Sequence, residues 1–267
     1  DYELLVINDG STDDTERLLA DLVKRYEGRL RAVTRTNSGP AATRNFGVKN
    51  TSGQYLIFLD ADDAMCDDAL ILLREVIQDS RGLGMAEGDH ISVAWNEEKT
   101  LIQSALIPDQ PFDRVKSYLL DKKIILSNGS VAMNRDIFSR YLYPEKFRSS
   151  EDLSMFTYAL ANYSVASVDG AVAYVYKHEN SLRHNVDLAK SIGLDVVDEI
   201  FDPLRIPSEI QPLKGRFAVQ RLLSLSRTCF LAGDKQAGRS FFTQALKRNW
   251  RAAFSGSYCR KFLRSFW

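Results

Sequence analysis

Gly53-Gln54-Tyr55-Leu56-Ile57-Phe58-Leu59-Asp60-Ala61-Asp62-Asp63 is the stretch on which the reading of this chain turns. Gln54 to Leu59 has the composition of a buried β-strand, the most apolar one in the sequence. Asp67 to Asp79 then places Leu70, Leu73, Val76 and Ile77 at helical spacing, so the acids between lie on a strand-to-helix turn. Ligands of open α/β sheets gather at the carboxyl ends of strands. Two carboxylates one residue apart suit Mg²⁺ or Mn²⁺ held jointly with substrate phosphates, because such ions take few protein ligands and complete their shell with phosphate and water. The plainer reading is a solvated acidic turn before a helix, and both stay open on these residues alone.

Working outward, the chain before Asp89 alternates short apolar runs with amphipathic stretches, the sign of βαβ units around a mostly parallel α/β sheet. Leu4 to Ile7 and Leu30 to Thr34 read as strands, and the acidic strand is expected at the centre of the sheet. Ser11 offers an N-cap for a helix with Leu18, Leu19, Leu22, Val23 and Tyr26 on one face, and Gly39-Pro40 opens another helix to Val48. Met85 to Asn96 reads as a further strand. Phe112 to Asp121 and Arg135 to Arg140 read as short helices around the turn Ser127-Asn128-Gly129-Ser130. Past Tyr176 the pattern becomes helical, with apolar faces in Ile192 to Phe201, Phe217 to Leu231 and Ala237 to Leu246. The expected division is a catalytic domain over 1–184 and a helical region over 185–267.

Three blocks now stand in order: Tyr2 to Thr15 with Asn8-Asp9-Gly10-Ser11, Asn37 to Asn45 with Ala42-Thr43-Arg44-Asn45, and Gly53 to Asp63. In type, order and spacing they resemble the signature blocks of glycosyltransferase family 2. The resemblance covers roughly residues 2 to 183 and implies a GT-A fold, Rossmann-like, from which an upstream first strand and helix are missing here. It implies that Asp9 contacts the base or ribose of a nucleotide-sugar donor, that Arg44 lies by the nucleotide, and that Asp60 and Asp62 bind ribose and the metal-diphosphate. Where the family often has two acids before Gly-Ser, this chain has Asn8-Asp9. Asn8 either contacts the donor or forms a turn at a strand end.

Arg148-Ser149-Ser150-Glu151-Asp152-Leu153 resembles the family's Glu-Asp motif, which implies a catalytic base. An inverting transfer needs one carboxylate to take the acceptor hydroxyl's proton as its oxygen attacks the anomeric carbon. Asp152 is the candidate, with Glu151 orienting acceptor or loop. A plain helix start capped by Ser149 or Ser150 is compatible with that role. Tyr174 to Ser181 resembles the segment closing the catalytic domain, where His178 would complete the metal shell or touch the leaving diphosphate, helped by Lys177 and Arg183. No role is assigned to His90 or His184. Trp250, Phe254, Tyr258, Phe262 and Phe266 recur every fourth residue among Arg248, Arg251, Arg260, Lys261 and Arg264. As a helix this strip would either lie on an anionic inner membrane or dock on the catalytic domain.

The 35 basic and 35 acidic residues cancel, which argues against a nucleic-acid partner and confines electrostatic function to local sites. Cys66, Cys229 and Cys259 show neither metal-ligand spacing nor a disulfide framework, which suits a reducing compartment. No run has the length to span a bilayer, and Asp1-Tyr2-Glu3 carries no signal-peptide pattern. The expectation is a cytoplasmic UDP-sugar transferase acting on a glycan or lipid-linked acceptor in surface polysaccharide assembly, an expectation that rests on the resemblance. Two alternatives compete. Phe58 to Asp62 also resembles the opening of a haloacid-dehalogenase phosphatase, although Asp63-Ala64 does not fit what should follow. The other is a non-catalytic nucleotide-binding remnant of the same fold.

Overall fold

Leu4-Leu5-Val6-Ile7 is extended, forming β1 (Leu4–Asn8) in parallel register with β2 (Leu30–Thr34), Leu4 opposite Leu30 and Asn8 opposite Thr34. This computed structural model describes residues 2–178 and 185–251. Helix α1 (Thr15–Arg25) joins the two strands and starts later than a Ser11 cap predicts. Asn8 Oδ1 accepts the Ser11 N–H at 2.9 Å and Asp13 Oδ1 accepts the Thr15 N–H at 3.0 Å, so the turn after β1 absorbs the capping groups. Of the apolar face predicted for α1, Leu19 is buried, while Leu18, Leu22 and Tyr26 are exposed.

The chain continues through α2 (Pro40–Lys49), β3 (Tyr55–Leu56), β4 (Ala64–Met65), α3 (Ala69–Asp79), β5 (Met85–Val93), β6 (Lys99–Ile102) and α4 (Pro111–Leu119). After a 3-10 turn at Asn128–Ser130 come β7 (Val131–Asn134), α5 (Arg135–Arg140), α6 (Glu151–Asn162) and β8 (Val165–Tyr176). The larger sheet runs β3-β7-β5-β8-β4, with β6 on β5. Among the described residues only β1–β2 and β5–β8 pair in parallel, and the other four ladders are antiparallel, so the sheet is mixed rather than mostly parallel. The acidic strand is not central. Only Tyr55 and Leu56 enter the ladder, opposite Asn134 and Met133, because among the described residues β7 is their one neighbour.

The β1–β2 ladder is a separate unit, tied on by side chains. Glu3 Oε1 accepts the Gly53 N–H at 2.9 Å and the Ser52 hydroxyl at 2.9 Å. Hydrogen bonds from Ser52 hold the Glu3 carboxyl down at about 2. Arg135 clamps the same loop from the other side, donating to Gly53 O at 2.7 Å, Val48 O at 2.7 Å and Thr51 Oγ1 at 3.0 Å. Its guanidinium thus fixes the path from α2 into β3.

Among the described residues four helices follow: α7 (Val186–Ile192), α8 (Asp195–Ile200), α9 (Leu213–Leu231) and α10 (Lys235–Arg248). The single helix predicted over Ile192 to Phe201 is broken at Gly193, whose φ of 49° favours glycine. Ile192, Val196, Ile200, Phe201 and Phe217 share one apolar cluster with Tyr118, Met155 and Phe156, so the core runs on past residue 185. Arg183, His184, Cys259, Phe254, Tyr258, Arg260, Lys261, Phe262, Arg264 and Phe266 lie outside the described residues.

Asn45 on α2 links these layers to the loop before α6. Its amide donates to Tyr143 O at 2.8 Å and to Glu145 Oε1 at 2.9 Å, and its Oδ1 accepts the Tyr143 N–H at 2.9 Å; the two bonds to Tyr143 are out of water, while Glu145 is exposed. Asn45→Ala strands buried donors and acceptors and should cost about 2–3 kcal/mol. Urea unfolding at constant m-value measures it, and a loss below about 1 kcal/mol would mean that water replaces the amide.

Candidate active site

The turn after β3 closes with Asp63 N–H donating to Asp60 O at 2.9 Å. Asp63 Oδ1 accepts the Tyr176 N–H at 3.0 Å, which seats the end of β8 against the acidic turn. That contact brings His178 Nε2 to 3.8 Å from Asp62 Oδ2, with both side chains about half exposed. The two residues singled out for a metal therefore do meet. Among the described residues no three of His, Cys, Asp and Glu gather closely enough to cage an ion by themselves. A donor set of one carboxylate and one imidazole facing solvent fits an ion that takes its remaining ligands from phosphate and water.

Arg44 projects from the middle of α2 into the space between the acidic turn and α6. Its Nη2 lies 2.8 Å from Asp60 Oδ1, and its Nη1 pairs with Glu151 Oε1. The guanidinium is only 10% exposed and Glu151 only 6%. Below it lies the Tyr143 ring, 5.4 Å from the guanidinium carbon, and that ring packs edge-on against Phe58, two residues before Asp60. The Tyr143 hydroxyl donates to Asn128 Oδ1 at 3.2 Å, which ties in the Ser127-Asn128-Gly129-Ser130 turn. Asp60 is thus held in an ion pair, an arrangement unsuited to the free aspartate nucleophile of the phosphatase alternative.

Glu151 and Asp152 open α6. Neither Ser149 nor Ser150 caps it: Ser150 takes a left-handed conformation, φ 67°, and makes no side-chain cap, while Asp152 Oδ1 accepts the Leu153 N–H at 2.8 Å. Burial, and then the neighbouring Glu151 charge, push the half-buried Asp152 carboxyl up to about 6, against the opposing pull of Arg44 and the Leu153 N–H. A carboxyl so placed is poised to exchange a proton near neutrality.

Asp9 is further from free than the sequence suggests. Its carboxylate accepts from Ser38 N–H at 3.0 Å, Ser38 Oγ at 3.0 Å and Gly39 N–H at 2.8 Å. Burial acts to raise it, but these donors outweigh that and hold it below the usual carboxylate range. Asp9 therefore fixes the Asn37 to Pro40 turn that starts α2, and Asn8 makes the turn bond described above. Arg148 reaches the same turn, donating to Asn37 Oδ1 at 3.0 Å. Of the residues read from the sequence, Arg44, Asp60, Glu151 and Asp152 form one electrostatic unit; Asp62 and His178 form a pair at the exposed end of the same turn. Lys177 is exposed, and His90 is buried in β5. The sequence assigns no role to Tyr143, or to Asn45 and Arg148 although both lie inside the blocks quoted above, because a tyrosine in a loop and an asparagine in a helix carry no spacing signal of their own.

A family model described as glycosyl transferase family 2 matches residues 1–142. An uncharacterized glycosyltransferase of Rickettsia conorii is 27% identical over 174 residues, 65% of this chain and 28% of that protein. A poly(ribitol-phosphate) beta-glucosyltransferase of Bacillus spizizenii is 25% identical over 187 residues, 67% of this chain and 28% of that protein. The chain thus spans just over a quarter of the length of these relatives. The solved structure of S. aureus TarS 1-349 in complex with UDP-GlcNAc superposes with a TM-score of 0.65 at 20% identity, covering 92% of this chain and 72% of that one. That likeness shows the GT-A fold.

The raised Asp152 carboxyl has a consequence for stability. A group whose folded value lies above its unfolded one favours folding below the ordinary carboxylate range, and that contribution is lost as pH rises through about 6. Asp152→Asn should therefore stabilise the protein by about 1–2 kcal/mol at pH 8 relative to its effect at pH 4. Thermal unfolding at the two pH values checks this; equal effects at both would show an unperturbed carboxyl.

Proposed function

The chain belongs to glycosyl transferase family 2, and from that premise we propose that it transfers a sugar from a UDP-sugar, with inversion, to a hydroxyl of a glycan or lipid-linked acceptor in surface polysaccharide assembly. The observation that carries this reading is the Arg44 guanidinium, which pairs with Asp60 on the solvent-facing acidic turn and with Glu151, the residue directly before the half-buried Asp152. The donor assignment is supported by TarS, which has been solved with UDP-GlcNAc and with UDP. The acceptor class is supported by the poly(ribitol-phosphate) beta-glucosyltransferase relative.

In the proposed reaction Asp152 takes the proton from the acceptor hydroxyl as its oxygen forms a bond to the anomeric carbon. The carbon–oxygen bond to the diphosphate breaks on the opposite face, which inverts the centre. Asp62 and His178 are the residues that would hold Mn²⁺ or Mg²⁺, which when bound offsets charge on the departing diphosphate. Asp9 organises the turn beneath the nucleotide, and Asp60 is the candidate ribose contact.

A peripheral location on the cytoplasmic face of a membrane belongs to the same proposal. Leu213 to Arg251 contains nine Lys or Arg and a single acid, Asp234, and Trp250 is exposed at its end. A basic composition of this kind favours anionic lipid where its side chains are exposed, as those of Lys247, Arg248 and Arg251 are. Among the described residues no helix is long and apolar enough to cross a bilayer.

Asp152→Asn tests the chemistry. It should lower kcat by about a thousandfold or more while donor binding persists, since it removes the proton acceptor and leaves the acidic turn intact. Transfer assayed with a panel of UDP-sugars reads the rate, and NMR of the product reads the anomer. Near-native turnover in the variant would remove Asp152 as base, and a product with retained configuration would remove the inverting mechanism.

A further inference from the structure

Arg44 is placed to do more than neutralise a donor. One guanidinium nitrogen reaches Asp60 at the proposed donor side and another reaches Glu151, the residue directly before the proposed base. Glu151 is buried, and among the described residues its only ion pair is with Arg44. A buried carboxylate that loses its partner is costly, so the start of α6 is held where Glu151 can keep its bond. Ser150 adds to this dependence: its left-handed backbone is unfavourable for a residue with a Cβ and needs surrounding contacts to hold it. The Tyr143 ring and the Asn45 bonds keep the guanidinium from swinging away.

We propose that Arg44 is a positioning residue, whose fork locks the base-bearing start of α6 to the donor turn through Glu151 and Asp60. This rests on the reading of Asp152 as base. Only a planar fork can span two carboxylates at once; a lysine supplies the charge at one point. The charged and titratable groups around Asp152 are Glu151 and its neighbour Arg44, Asp60 from the acidic turn, Tyr118 from α4 and Tyr143 from the preceding loop. Glu151 and Asp60 disfavour the ionised base and Arg44 favours it, so the carboxylates and the guanidinium of the lock act on Asp152 in opposite senses.

Arg44→Lys and Glu151→Gln separate geometry from charge, and neither leaves a buried ion without any possible partner. The measurements are kcat as a function of pH and UDP affinity by calorimetry, on each variant and the parent protein. Arg44→Lys should lower kcat by about 10- to 100-fold, well beyond any loss of UDP affinity, with the acid limb of the profile unchanged because the charge is kept. Glu151→Gln should move the acid limb to lower pH by about one unit, because a like charge beside the base has gone. A merely structural role would reduce the amount of folded enzyme without moving that limb. The inference is overturned if Arg44→Lys turns over like the parent, if its loss of kcat is matched by an equal loss of UDP affinity, or if the Glu151→Gln limb stays in place. Failure of the parent protein itself to bind UDP would instead sink the functional reading on which the inference stands.

Discussion

One buried guanidinium sets the architecture of the site. Arg44 comes from α2, Asp60 from the turn after β3 and Glu151 from the first turn of α6, and no other ion pair joins those three segments among the described residues. Tyr143 and Phe58 close the arrangement from below with edge-on ring contacts, and Asn45 holds the Tyr143 backbone. Because charge taken out of water must be paired, each of these neighbours is constrained by its partners rather than by its own segment.

The carboxylates of the site divide by environment. Asp62 stays about half exposed beside His178 at the open end of the acidic turn. Asp152 is half-buried among Glu151, Tyr118 and Tyr143, which favours its protonated form. Asp9 is different again, its oxygens satisfied by backbone N–H groups and thus kept ionised as a structural element. Three aspartates of one chain thus sit in three environments, one facing solvent, one half-buried and one bound by backbone donors, and the proposed roles of ligand contact, proton exchange and turn formation follow that division.

Much of this was legible in the sequence. Helix and strand periods gave the elements, since Arg135 to Arg140 and Leu30 to Thr34 have the predicted bounds and Pro40 opens its helix as expected. The candidate residues were named because their blocks resemble a family, and the structure brings four of them, Arg44, Asp60, Glu151 and Asp152, together. What escaped was set by distant partners. The edge position of Tyr55-Leu56 depends on pairing with Asn134 and Met133, far along the chain. Ser11 and Ser150 looked like caps, but Asn8, Asp13 and Asp152 make the bonds nearby. The Arg44 bridge itself spans 107 residues in sequence, a separation across which no local pattern reports.

The central claim is a donor site built on the acidic turn, and its most direct test is a calorimetric titration of UDP into the protein and into Asp62→Ala, each with and without Mn²⁺. The account predicts binding that needs the ion and disappears in the variant. Binding that is equal with and without Mn²⁺ and survives Asp62→Ala would contradict it.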